Sequence, residues 1–164
     1  MKKIIAVLIV LFVMGGAMAF ADHPGTGIGV VFSTGYGGTG FGGDIGVSFK
    51  LPSIPVMWAA SIGLNDSILR LGLVGDYYFF VQDLVTDGSF NLDWFFGVGG
   101  YANFWLGNDF GFGIGARAPI GLSWHIIPQL ELALALVPSL GIYVNDGVSL
   151  GWGVGADLAL RYWF

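Results

Sequence analysis

From Val148 to the end of the chain, every second residue is apolar. Val148, Leu150, Trp152, Val154, Ala156, Leu158, Leu160, Tyr162 and Phe164 make one row, and Ser149, Gly151, Gly153, Gly155, Asp157, Ala159, Arg161 and Trp163 make the other. A period of two places successive side chains on opposite faces of a strand, and a run from 148 to 164 is far longer than the usual strand of about five or six residues.

The same alternation recurs seven more times, so the sequence predicts eight strands, at about 27–36, 41–51, 56–64, 69–80, 90–106, 110–126, 130–144 and 148–164. The connections expected between them are "GGTG", "PSIP", "NDSI", "VQDLVTDGS" (81–89), "GND", "IPQ" and "NDG". All but the fourth are short and rich in turn formers or in prolines that close strands. Even spacing and tight turns fit an all-β, eight-stranded antiparallel up-and-down barrel.

The two faces differ sharply. One carries no charged residue in any strand. The other collects Asp44, Lys50, Arg70, Asp76, Asp93, Arg117, His125, Glu131, Asp157 and Arg161, while Asp22, Asp66, Asp83, Asp87, Asp109 and Asp146 fall in the leader or in connections. A soluble barrel would turn the apolar face inward and crowd its outer face with charge. Here the polar face is mostly glycine, alanine and serine, including Gly42, Gly46, Gly63, Gly72, Gly97, Gly99 and Gly115. Small residues suit a cramped interior, so the expected arrangement is apolar outside against lipid and polar inside. Aromatic residues agree. Phe49, Trp58, Tyr77, Phe79, Phe90, Trp94, Trp124, Tyr162 and Phe164 gather at one rim of the apolar face, and Tyr36, Phe41, Phe104, Phe110 and Phe112 at the other. Such belts flank a hydrocarbon layer, because the rings are apolar while N–H and O–H groups seek water.

Residues 1–21, "MKKIIAVLIVLFVMGGAMAFA", join Lys2 and Lys3 to an apolar run and small residues. This is the pattern of a secretory signal peptide cut after Ala21, or alternatively after Ala19, leaving residues 22–164 as the barrel domain. Loss of the two lysines leaves four basic against eleven acidic residues, a net charge of −7, which gives no surface for nucleic acid. The chain has no cysteine, so disulfides and thiolate metal sites are excluded.

With this pattern the chain resembles the small eight-stranded bacterial outer-membrane barrels, of the OmpA transmembrane-domain and OmpW-like type. The resemblance implies an outer-membrane location, contact with outer-membrane lipids, and a C-terminal strand read by the barrel-assembly machinery through Leu158, Leu160, Tyr162 and Phe164. It departs from the family in its outer connections, which are only three or four residues long.

Hairpin register is set by the short turns. The turn at 145–147 pairs Val144 with Val148 and hence Glu131 with Arg161; the connection at 127–129 pairs His125 with Glu131. A cluster of His125, Glu131 and Arg161 is therefore expected near the end holding both termini. With Ser123 it has the residue types of an activated nucleophile, but ion pairing of Glu131 by Arg161 points to a structural role. Asp44 and Asp157 are expected to pair with Arg70 and Arg117 at mid-height, with Phe95, Tyr101, Trp105 and Tyr143 filling the lumen, and Asp76 and Asp93 are candidates to meet. The expected role is structural or that of a narrow pore, as a monomer without cofactor, metal or catalysis. Transport of small hydrophobic molecules through the wall is the second possibility and a lipid-modifying enzyme the third.

Overall fold

The computed structural model describes residues 25–37, 40–65, 68–87, 90–107 and 110–164. The expected signal peptide and the aspartates Asp22, Asp66 and Asp109 lie outside the described residues, as do the side chains of Phe41 and Phe90. The described chain is entirely strand and turn: β1 (Gly27–Gly37), β2 (Gly40–Leu51), β3 (Ile54–Asn65), β4 (Ile68–Asp87), β5 (Phe90–Leu106), β6 (Phe110–Arg117), β7 (Ile120–Ile127), β8 (Leu130–Val144) and β9 (Val148–Trp163).

All neighbours are antiparallel, and β1 pairs with β9 from Gly27↔Trp163 to Gly37↔Gly153, so the sheet closes on itself. Nine segments make eight staves, because β6 and β7 are one strand interrupted at Ala118 and Pro119. The register does not slip across the gap: Arg117 faces Gly99 and Ile120 faces Phe96 on one side, while the same two residues face Ser139 and Leu136 on the other. The interruption has a simple origin. Pro119 has no N–H to give to the ladder, and Ala118 N–H donates instead to Pro138 O (3.0 Å), while Pro119 O accepts from Gly97 N–H (2.9 Å).

One connection differs from the sequence expectation. Residues 81–87 are not a loop but the continuation of β4, paired with β5 down to Asp87↔Phe90. Bulges between Tyr78 and Phe80 and between Asp83 and Val85 each shift the inward row by one residue. The even row that holds Arg70, Asp76 and Tyr78 therefore continues as Val81 and Asp83, which breaks the simple alternation. Asp83 and Asp87 accordingly sit in a strand. Other boundaries move by a residue or two; β3, for instance, begins at Ile54 and contains Pro55.

Following strand partners once round the wall from Gly27, through Lys50, Met57, Asp76, Gly99, Arg117, Ser139 and Gly153, returns to β1 at Gly37, ten residues further along. Ten residues at about 3.3 Å against eight strand spacings of about 4.8 Å means a tilt of about 40°. The eleven residues of β1 then rise about 28 Å along the barrel axis.

The outside is apolar. Phe32, Leu134, Leu136, Leu140, Val154 and Leu158 are all exposed, Leu136 to 63%. The inward row of the same strands is buried, with Val31, Phe95, Ala133, Ala135, Val137 and Ala159 packed together in the lumen.

Candidate functional site

The lumen holds the charged residues in three tiers, and the strand registers decide which of them meet. The lowest, near the rim with both termini, centres on Glu131. Turns at 128–129 and 145–147 set His125↔Glu131 and Glu131↔Arg161, the two pairings expected from hairpin geometry. Glu131 Oε1 accepts from Arg161 Nη1 (3.0 Å) and Ser123 Oγ (2.9 Å), and Oε2 accepts from the Trp163 indole Nε1 (2.9 Å). Arg161 Nε donates to Ser48 Oγ (3.3 Å). All of these groups are buried, and so is Lys50, two residues from Ser48 on β2, at 3% exposure. Three donors on one carboxylate and two acceptors on one guanidinium are what a buried ion pair needs to offset its desolvation.

His125, opposite Glu131 in the register as expected, also faces Asp93. Its Nδ1 lies 3.6 Å from Asp93 Oδ2. Asp93 in turn stands opposite Asp83 on β4 and Ser123 on β7. Asp93 and Asp76 do not meet, because the register opposes Asp76 to Gly99, six residues along β5 from Asp93.

In the middle tier Arg117 joins two carboxylates, with Nε 3.1 Å from Asp76 Oδ1 and Nη2 bonded to Asp157. The upper tier is Arg70 and Asp44: Nε and Nη2 both donate to Oδ1, at 3.1 and 2.6 Å, and Nη2 also donates to Gly43 O (3.1 Å). Thus Asp44 pairs with Arg70, and Asp157 with Arg117, but at two heights rather than in one ring.

Glycines make room for these groups. A Cβ on Gly63 would collide with the Asp44 carboxylate and one on Gly99 with that of Asp76, so a side chain at either position would push an acid off its arginine. Aromatic rings fill much of the remaining space. Phe95 packs edge-on against Tyr78 (4.9 Å between centroids), Tyr101 and Tyr143 share a hydroxyl hydrogen bond of 2.9 Å, and Trp105 leans on Tyr143.

Among the described residues the lumen keeps open space at two heights. A cavity of about 40 Å³ lies between Arg117 and Arg161; another of about 180 Å³ lies above Arg117 and reaches the upper rim at Tyr36 and Tyr143. Outside the wall is an apolar depression of about 830 Å³ floored by the facing pair Gly75 and Gly100, with Trp58, Leu73, Ile114 and Leu140 around it. The ladder beneath it is unbroken from β3 to β6.

Trp163 and Ser48 belong to this site although charge does not single them out, and Asp83 joins it because β4 runs on through the segment expected to be a connection. Trp163 and Ser48 stand on the inward rows of β9 and β2, and that period was the available signal. Among the described residues no group of three or more acidic or histidine side chains is arranged to hold a metal ion.

No protein-family model matches the chain, and no curated protein does. Among solved structures it is similar to neisserial surface protein A (13% identity, TM-score 0.48, covering 85% of this chain and 96% of that one). It is also similar to a major outer membrane protein of Thermus thermophilus (16%, 0.38, 85% and 99%) and to outer membrane protein Omp33 of Acinetobacter baumannii (9%, 0.26, 87% and 100%). None of these likenesses assigns an activity or a ligand.

Proposed function

We propose that the chain is an integral protein of the bacterial outer membrane, secreted by its N-terminal segment, with both termini in the periplasm and a structural role as a barrel whose lumen is closed at rest. The observation that carries this reading is the inversion of polarity. Aliphatic side chains cover the outside, ion pairs and hydroxyls fill the inside, and a strand rise of about 28 Å matches a hydrocarbon layer of about 25–30 Å. Water would not tolerate so continuous an apolar exterior. Outer-membrane lipids cover the band on this reading, one chain suffices to close the wall, and the row Leu158, Leu160, Tyr162 and Phe164 faces lipid where assembly machinery could read it.

Closure is favoured over an open pore because two ion-pair tiers, at Arg117 and at Glu131, stand in series with a cavity of about 40 Å³ between them. A catalytic role is disfavoured because the Ser123 hydroxyl is spent on Glu131, a carboxylate already held by Arg161 and Trp163. Passage of hydrophobic molecules through the wall would require the ladder under the outer depression to part.

Planar-bilayer recording tests the reading. Wild-type protein should be silent or show rare brief openings, and Arg117→Ala should raise the open probability. Steady currents of the same amplitude in both forms would refute the sealed lumen.

A further inference from the structure

We propose that the upper chamber of the lumen is a binding site for a small neutral polyhydroxyl solute of monosaccharide size, entering from the rim opposite the termini. Three features of the chamber point to that chemistry.

The first is charge balance. The chamber of about 180 Å³ is bounded by Asp44 with Arg70 above and by Asp157 with Arg117 below. Each arginine is already held by a carboxylate, so an anion approaching a guanidinium meets a paired acid and a cation meets the reverse. A neutral solute meets neither penalty and still finds lone pairs and N–H groups on both walls.

The second is unspent hydrogen-bonding capacity. The hydroxyls of Ser33 and Ser61 and the amide of Asn103 line the chamber, and among the described residues no hydrogen bond joins them to another protein group. Serine hydroxyls and the asparagine amide each offer both a donor and an acceptor, as a sugar hydroxyl does.

The third is a notch. Gly72 on β4 has Ser61 as its partner on β3 and Asn103 as its partner on β5. A Cβ built on Gly72 would stand 2.5 Å from Ser61 Oγ and 3.1 Å from Asn103 Oδ1. A side chain on Gly72 would crowd both groups, and its absence leaves Ser61 Oγ and Asn103 Oδ1, which do line the chamber, turned to one gap where a ligand hydroxyl can reach them from the chamber side. At a water's liquid share of about 30 Å³, the chamber of about 180 Å³ takes about six waters, room for one small polyhydroxyl solute. Beneath it the ion pairs of Arg117 and Glu131 block onward passage, so the chamber captures rather than conducts. Entry from outside the cell rests on the membrane reading above; the chemistry of the chamber does not.

The test is calorimetric titration of the full-length folded barrel in a zwitterionic detergent that carries no sugar, using D-glucose, D-ribose and glycerol as probes, with inorganic phosphate and a short diamine as charged controls. At least one of the sugars should bind saturably with a Kd of about 1 mM, and Gly72→Ala and Asn103→Ala should each weaken it at least about tenfold while the heat-sensitive gel shift of the folded barrel persists. If Gly72→Ala loses that shift, Asn103→Ala decides. The proposal is overturned if no probe gives saturable heat up to about 100 mM, if the folded variants bind as the wild type does, or if phosphate or the diamine binds as tightly as the sugars. Steady wild-type conductance together with sugar binding would sink the sealed-lumen reading, and with it the closed floor of the chamber, and leave the binding site itself standing.

Discussion

Replacing Glu131 by alanine is the perturbation whose size follows most directly from the geometry. Glu131 is 6% exposed and Arg161 7%. The substitution leaves the Arg161 guanidinium without its carboxylate, and the Ser123 hydroxyl and Trp163 indole without their acceptor. Breaking a buried pair by removing one partner costs about 3–5 kcal/mol. Stranded neutral donors cost about 1–3 kcal/mol each when water cannot reach them. These contributions overlap on one carboxylate, so about 4 kcal/mol is the expected total, close to three orders of magnitude in the folding equilibrium. With a urea slope of about 2 kcal/mol per molar, the unfolding midpoint of the barrel in lipid vesicles should fall by about 2 M. Glu131→Gln retains an acceptor and should lose about half as much. The double variant Glu131→Gln with Arg161→Met should recover part of the loss, because no lone charge stays buried. Tryptophan emission and the heat-sensitive gel shift both follow the transition. A midpoint shift under about 0.5 M for Glu131→Ala would mean that water reaches Arg161 and that the lower lumen is not sealed.

Three further outcomes follow. Leu136→Arg, on the middle of the lipid-facing wall, should destabilise the inserted barrel by about 2–4 kcal/mol, whereas Val148→Arg beside the upper turn should cost about 1 kcal/mol or less by the same vesicle titration. Gly63→Ala should cost about 1–3 kcal/mol, because its Cβ drives Asp44 away from Arg70, while Gly147→Ala, with nothing within 4 Å, should stay within about 0.5 kcal/mol. Deleting Phe164, which is 77% exposed and packs on Tyr162, should lower the amount of folded barrel recovered from cells while leaving the urea midpoint of that fraction unchanged; normal recovery would show that the terminal residue is not read during assembly.

Much of the barrel is legible in the sequence because a strand that separates two solvents must alternate without exception. Leu130 to Val144 and Val148 to Phe164 do so, and the tight turn Asn145–Gly147 then fixes Glu131 opposite Arg161. Pairings that depend on one hairpin are within reach of such reasoning. Those that depend on closure are not. Arg117 meets Asp76 from β4, two strands away, and Asp157 from β9, also two strands away on the other side, and which acids it reaches depends on how several registers combine around the wall. Asp76 and Asp93 look like neighbours across one connection only if that connection is a loop; with β4 continuing to Asp87, the hairpin turns lower down and Asp83 takes the place opposite Asp93. The two bulges hid this, since each reverses the phase of the alternation and makes Val81 to Asp87 read as irregular. Pro119 interrupts the sixth strand without shifting it, because the neighbouring strands still supply a donor and an acceptor at Gly97 and Pro138. The part played by Trp163 could not be drawn from composition, since its outward neighbours Tyr162 and Phe164 are aromatic too, and only its place in the period separates the indole that holds Glu131 from the rings that face lipid.

The most direct test of the account is a nitroxide scan along β9 from Val154 to Arg161 in lipid vesicles, reading collisional accessibility to oxygen, which partitions into hydrocarbon, and to a polar nickel complex, which does not. The account predicts a period of two: labels at 154, 156, 158 and 160 open to oxygen and closed to nickel, and labels at 155, 157, 159 and 161 protected from oxygen. Nickel reaching the outward row, or an accessibility period near 3.6, would contradict it.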